Sequence, residues 1–293
     1  MKPILGVMLA CLALFSACHK NDDTGTIDLG IDYTINEGPL VLDTLRYSNE
    51  AGNHLMITEI QWFISNVELQ DQQGRWTPFG KDDNIYYIDT DIQETHQIIS
   101  RDLPTGHYQA IRFTFGLDEA DNVTGRFPNP PEANMFWPEP LGGGYHYMKM
   151  NGRWLNESQE LVPFNLHLGV GQNADKTAFY PNHFSVVLPI DLDLEASHKN
   201  QIQLTMVIDN WFRNPHTYDL NHFGGAIMQN QEAQQALKEN GHDVFQITTD
   251  ASLISKIAHP VKALMHQARP TPHFYTKKNM KELLSHFTLK NNH

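Results

Sequence analysis

The chain has 293 residues, 40% hydrophobic, 10% aromatic and 19% charged, enough apolar matter for a sizeable core and too much for a disordered or fibrous protein. Its 21 basic and 34 acidic residues leave a formal net charge of -13, the wrong sign for a protein that neutralises phosphates, so nucleic acid is not an expected partner. The two cysteines, Cys11 and Cys18, sit near the start, and no thiol is available downstream for a disulfide, a cysteine zinc site or a cysteine nucleophile.

In chain order, Met1-Lys2 supplies a positive start, Ile4 to Phe15 is apolar, and Leu14-Phe15-Ser16-Ala17-Cys18 closes the run. The stretch is too short to span a bilayer comfortably and reads as a lipoprotein signal peptide over 1–17, with Cys18 becoming the lipidated first residue. Residues 18–25 form an acidic tether similar to the export signals of some surface lipoproteins. The expected location is the outer membrane, lipid-anchored, on its periplasmic or cell-surface face.

Ile27, Leu29, Ile31, Tyr33 and Ile35 alternate with mostly polar residues, the period of a half-buried strand. Similar runs recur at Leu55 to Phe63, Ile85 to Ile88, Tyr108 to Phe115, Tyr145 to Met150, Phe164 to Leu168, Phe184 to Ile190 and Ile202 to Ile208. Turn signals fall between them at Asp71 to Gly74, Pro104-Thr105-Gly106, Asn151-Gly152 and Pro189 to Ser197. The expected fold is all-β, an antiparallel β-sandwich over about 26–250 with long ordered loops and a short helical C-terminal tail. Asp118 to Gly144 carries five prolines and Gly142-Gly143-Gly144, which excludes a helix or central strand, and its aromatics argue for an ordered functional loop. Helical pattern appears late, at Asn230 to Glu239 with a stop at Asn240-Gly241, then at Ala251 to Ile257 and Asn279 to Phe287. Residues 251–293 read as a basic helical tail, suited either to docking on an acidic surface or to solvation.

The chemistry has to come from histidine, methionine, carboxylate and tryptophan. Sixteen histidines are an unusually large number, and His54, His146, His167 and His183 open or lie within expected strands, where a two-residue period could gather several on one face. A nitrogen-rich set without thiolate suits copper, zinc or nickel. The sequence has no HExxH, GxSxG, P-loop, GxGxxG or CxxCH motif, so no catalytic residue is assigned and no haem is expected in this chain.

Asn134-Met135-Phe136-Trp137-Pro138-Glu139-Pro140-Leu141-Gly142-Gly143-Gly144-Tyr145-His146-Tyr147-Met148-Lys149-Met150 resembles the central motif of the methanobactin-associated MbnP copper-binding family. Three further segments fall in the family's order: Thr58 to Val67 with its aromatic-x-Ser-Asn, Leu103-Pro104-Thr105-Gly106-His107-Tyr108, and Phe164-Asn165-Leu166-His167-Leu168-Gly169. The resemblance implies a β-sandwich at the cell envelope that binds copper through histidine and, in relatives, through a tryptophan oxidised to kynurenine by a di-haem MbnH-type partner enzyme. Where relatives commonly carry Trp-x-Trp, this chain has Trp137-Pro138-Glu139.

The expected function is non-catalytic binding of about one copper ion, for acquisition, storage or transfer, with an outer-membrane copper receptor as a further partner. The metal candidates are His54, His146 and His167, then Met148, Met135, His183 and His222, with Trp137 as a modified residue or site wall. With no thiolate the site must use histidine, so binding should weaken steeply as pH falls through about 6.5. The rival reading is an envelope glycan-binding or interaction lipoprotein with Trp76, Phe136 and Trp137 as a stacking platform.

Overall fold

The computed structural model describes residues 24–249 apart from 81, 174, 197 and 198. The expected signal peptide, Cys18 and the expected tail with its two helices lie outside the described residues.

The elements in chain order are β1 (Thr24–Ile35), β2 (Gly38–Pro39), β3 (Tyr47–Ser48), β4 (His54–Asp71), β5 (Trp76–Pro78), β6 (Ile85–Asp89), β7 (Gln97–Pro104), β8 (Gly106–Phe115), β9 (Met148–Leu155), β10 (Leu161–Leu168), β11 (Gly171–Gln172), β12 (Phe179–Tyr180), β13 (Phe184–Leu194), β14 (Lys199–Val207), α1 (Leu220–Phe223), α2 (Gln231–Asn240) and β15 (Phe245–Thr249). One sheet is ordered β15-β14-β1-β2, with β7 also on β1; the larger runs β10-β9-β4-β8-β13, with β3, β5 and β6 also on β4. They face each other as a β-sandwich. Trp62 of the larger sheet packs on Phe245 of the smaller at 5.3 Å between ring centroids, and its Nε1–H donates to the Tyr33 hydroxyl at 2.9 Å.

The expected strands form, with four corrections. The sandwich is not wholly antiparallel, because β1 and β14 pair in parallel from Thr26↔Lys199 to Thr34↔Val207. They lie far apart in sequence, so no tight hairpin constrains their direction. Asn151-Gly152 is not a turn but the middle of β9, paired with Asn165 and Phe164 of β10. Gly152 is needed there because the Met56 carbonyl and the Phe164 ring occupy the space a Cβ would take. Pro189 to Ser197 does not end a strand either: β13 runs on to Leu194 through a bulge between Pro189 and Leu192, and as an edge strand it tolerates the proline. Finally, β9 starts at Met148, so Tyr145, His146 and Tyr147 belong to the preceding loop. The helix signal was accurate: Asn230 caps α2 by accepting from the Ala233 N–H, and Gly241 follows its end.

What positions the functional region is β4, which extends well beyond the expected Leu55 to Phe63. A bulge at Ser65 to Glu68, with Asn66 at φ +53°, lets the alternation resume at Val67 and Leu69. Its first half pairs with β9 and its second with β8, both on the edge opposite β6. The two partners meet at Phe63, whose N–H donates to the Tyr147 carbonyl and whose carbonyl accepts from the Gly116 N–H. Residues 116 to 147 therefore leave and rejoin the sheet at one point.

Candidate metal centre

Trp62, Met148 and Leu168 form one cross-strand row facing the sandwich core, so their neighbours Phe63, Lys149 and His167 face outward. Phe63 is nevertheless fully buried, because the long loop folds back over it: Phe127 stacks on Phe63 at 5.3 Å, and Tyr145 and Tyr87 meet its ring edge-on.

Within the loop, residues 135 to 146 form an irregular hairpin. The Trp137 N–H donates to the Gly144 carbonyl, the His146 N–H donates to the Met135 carbonyl, and Phe136 bridges Tyr145. The return arm needs its glycines, since Gly142, Gly143 and Gly144 all have positive φ, at 118°, 70° and 80°. Asn122 and Thr124 pin that arm, accepting from the Tyr145 and Gly144 N–H groups at 2.8 Å each.

This hairpin brings Trp137 and His146 up to His167 of β10, so that three rings follow one another on the outer face. Trp137 meets His146 at 4.7 Å between centroids and 78°, and His146 meets His167 at 4.9 Å and 86°. Trp137 is fully buried, donates its Nε1–H to the Leu141 carbonyl at 3.0 Å, and lies so close over Gly169 that a Cβ there would strike its ring.

The hydrogen bonds fix the His146 tautomer. Nδ1 lies 2.9 Å from the Met135 carbonyl, which can only accept, so the proton is on Nδ1 and the lone pair on Nε2. That Nε2 is buried and has no hydrogen-bond partner among the described residues. Burial, reinforced by the adjacent His167 and Lys149, holds His146 down at about 3. Burial, with Lys149 beside it, lowers His167 to about 4. Both imidazoles are therefore neutral over the physiological range, the form that donates a lone pair to a metal. An unpartnered buried nitrogen beside a second neutral imidazole fits a soft or borderline transition metal such as copper.

A model of the MbnP family matches residues 24–231 of this chain. The chain belongs to the MbnP family. No curated protein matches it. The solved structure of MbnP from Methylosinus trichosporium shares its fold, with a TM-score of 0.53 at 11% identity over 78% of this chain and 99% of that chain.

Among the expected ligands in this MbnP-family chain, His146 and His167 are brought into ring contact with each other. Met135 joins them through its carbonyl. His54 is set apart: it opens β4 beside Ser48, whose hydroxyl lies 2.8 Å from its Nδ1, whereas Gln61 and Trp62 pair with the start of β9 next to His146. Seven residues of extended chain separate His54 from Gln61, roughly 23 Å. Met148 faces the sandwich core, whereas Lys149 and His167 face outward. His183 lies 3.3 Å from Glu119 and edge-on to Tyr147, and His222 packs on Phe223 near α1. The glycan platform does not assemble either. Trp137 is fully buried and Trp76 lies under the Arg112 guanidinium at 4.2 Å, which leaves only Phe136 substantially exposed.

Three residues near the site escaped the sequence reading: Asn151, Glu59 and Lys149. Asn151 Oδ1 lies 2.9 Å from His167 Nε2, its Nδ2 donates to Glu59 Oε2 at 2.9 Å, and Lys149 donates to the Asn134 carbonyl. Register could have signalled them, since Glu59↔Asn151 and Lys149↔His167 are cross-strand pairs, but the expected turn at Asn151-Gly152 concealed it. Glu59, Asp89 and Asp91 bring oxygens within 4.8 Å of one another. The buried Asp89 is already bonded by Gln61, Tyr87 and the Asp91 N–H, and the trio reads as a structural network.

Proposed function

We propose that this MbnP-family chain is a non-catalytic copper-binding lipoprotein of the cell envelope, taking about one copper ion through His146 Nε2 and the His167 imidazole for acquisition, storage or transfer. The buried, unpartnered Nε2 of His146 beside neutral His167 carries this reading. A buried polar atom without a partner costs roughly 1–3 kcal/mol, and a bound metal removes that cost. The ring of Trp137 against His146 supports it as the wall of the site, and the family resemblance makes it the residue that a di-haem MbnH-type enzyme would convert to kynurenine. Mass spectrometry of its tryptic peptide, after co-expression with that enzyme, distinguishes the two forms. An outer-membrane copper receptor is the natural recipient.

The test is copper content by elemental analysis, with affinity measured at pH 7 and pH 5. Two imidazoles of ordinary pKa would lose roughly thirtyfold each over that interval through proton competition. Here both values lie below 5, so the lone pairs persist and affinity should change little. A loss approaching a thousandfold would mean that the metal sits on exposed histidines elsewhere, and absence of copper at pH 7 would remove the proposal.

Membrane attachment is a separate expectation. Cys18→Ser should move the protein from the membrane fraction to the soluble fraction, because a lipidated Cys18 is the proposed anchor. Retention of that variant in the pellet after a high-salt wash would show another anchor.

A further inference from the structure

The His146 and His167 rings stand edge-on at 4.9 Å between centroids, and a chain of groups behind His167 sets which of its nitrogens carries the proton. A carboxylate can only accept, so the amide of Asn151 must turn its Nδ2 to Glu59 Oε2 and its Oδ1 to His167. An amide oxygen also only accepts, so His167 carries its proton on Nε2 and keeps the lone pair on Nδ1. We infer that Asn151, oriented by Glu59, is a positioning residue that locks His167 in the Nε2–H tautomer and so makes Nδ1 its metal-binding nitrogen, an inference that rests on the copper reading for its metal half.

The register explains the reach. Glu59 and Asn151 are directly opposed on β4 and β9, while His167 pairs with Lys149 and stands diagonal to Asn151 on the same outward face. All three belong to strand ladders and not to the loop, so the sheet register sets their spacing. The Met135 carbonyl does the converse for His146, placing its proton on Nδ1 and its lone pair on Nε2. Both rings are thus set by the groups behind them before a metal arrives, and loss of such support typically weakens metal binding about 10–100-fold.

The experiment reads the tautomer first, in metal-free protein labelled with ¹⁵N at histidine, where protonated and bare ring nitrogens differ in chemical shift. His167 should show a bare Nδ1 in the wild type. Asn151→Leu should lose that fixed tautomer and weaken copper binding about 10–100-fold. Glu59→Gln combined with Asn151→Asp exchanges the two groups, so that the new amide donates to the new carboxylate, which still accepts from His167. This double variant should restore both the tautomer and most of the affinity, which a generally damaged fold would not do, and circular dichroism confirms that each variant is folded. A proton on Nδ1 of His167 in the wild type, or an Asn151→Leu protein with unchanged tautomer and affinity, overturns the inference. A wild type with the expected tautomer but no copper would overturn its metal half and the copper proposal together, leaving the tautomer lock standing by itself.

Discussion

His146→Ala should lose copper by about a hundredfold or more in affinity while remaining folded. The four ligands of a structural zinc site share an apparent 10–16 kcal/mol, so one ligand is worth about 3 kcal/mol, or roughly two orders of magnitude. In the metal-free protein the same change removes one hydrogen bond to the Met135 carbonyl, worth about 1 kcal/mol, and also a buried nitrogen that has no partner. The two effects oppose each other, so metal loss should exceed any loss of stability. Isothermal titration with Cu(I) under a competing chelator, beside thermal melts of the apoprotein, measures both. His54→Ala serves as the control, because His54 stands a strand's length away, and its copper content should match the wild type. Equal copper affinity in His146→Ala and wild type would remove His146 from the site.

Trp62→Ala is expected to be the most destabilising single change among these variants, by about 3–5 kcal/mol. The indole is fully buried, stacks on Phe115 at 6.0 Å, reaches Phe245 of the facing sheet at 5.3 Å, and donates to the Tyr33 hydroxyl. Truncation leaves a cavity between the sheets and deprives that hydroxyl, buried deeply enough to push its pKa well above the ordinary phenol range, of its donor. Domain stabilities are about 5–15 kcal/mol, so this is a large share of the total. Trp62 is also flanked by Met148 of β9 and Ile88 of β6, and loosening it should slacken the strands under the histidine pair. Urea unfolding followed by fluorescence should show a lowered midpoint, with Trp62→Phe intermediate because it keeps most of the packing and loses the hydrogen bond. An unshifted midpoint would mean that the inter-sheet core is not built around this ring.

Some features were legible in the sequence because they depend on local chemistry. Strand alternation is one, since the side-chain period of two writes the buried face of β1 directly into Ile27, Leu29, Ile31, Tyr33 and Ile35. The cap and stop of α2 are another, with Asn230 and Gly241 acting on adjacent backbone groups. The ordered loop was readable from its prolines, glycines and aromatics, and the ordered motifs around Trp137, His146 and His167 pointed to the family that the chain belongs to.

The membership of the site was a different matter. His54, His146 and His167 look equivalent as strand histidines, and Met148 looks a better soft ligand than most. What separates them is register: β4 is long enough that its two ends serve different parts of the sheet, and Met148 is one residue out of phase with the outward face. Register depends on which strands pair and where a bulge interrupts them, as at Ser65 to Glu68, and these are long-range choices. The same holds for proton placement. Sequence by itself determined that this protein has a β-rich, thiol-free body with an aromatic loop and abundant imidazole. Tertiary structure decided that two imidazoles meet, that burial keeps them neutral, and that the Met135 carbonyl and the Asn151 amide dictate which nitrogen of each is bare, because desolvation and hydrogen-bond direction arise only when distant strands and the loop close over one face.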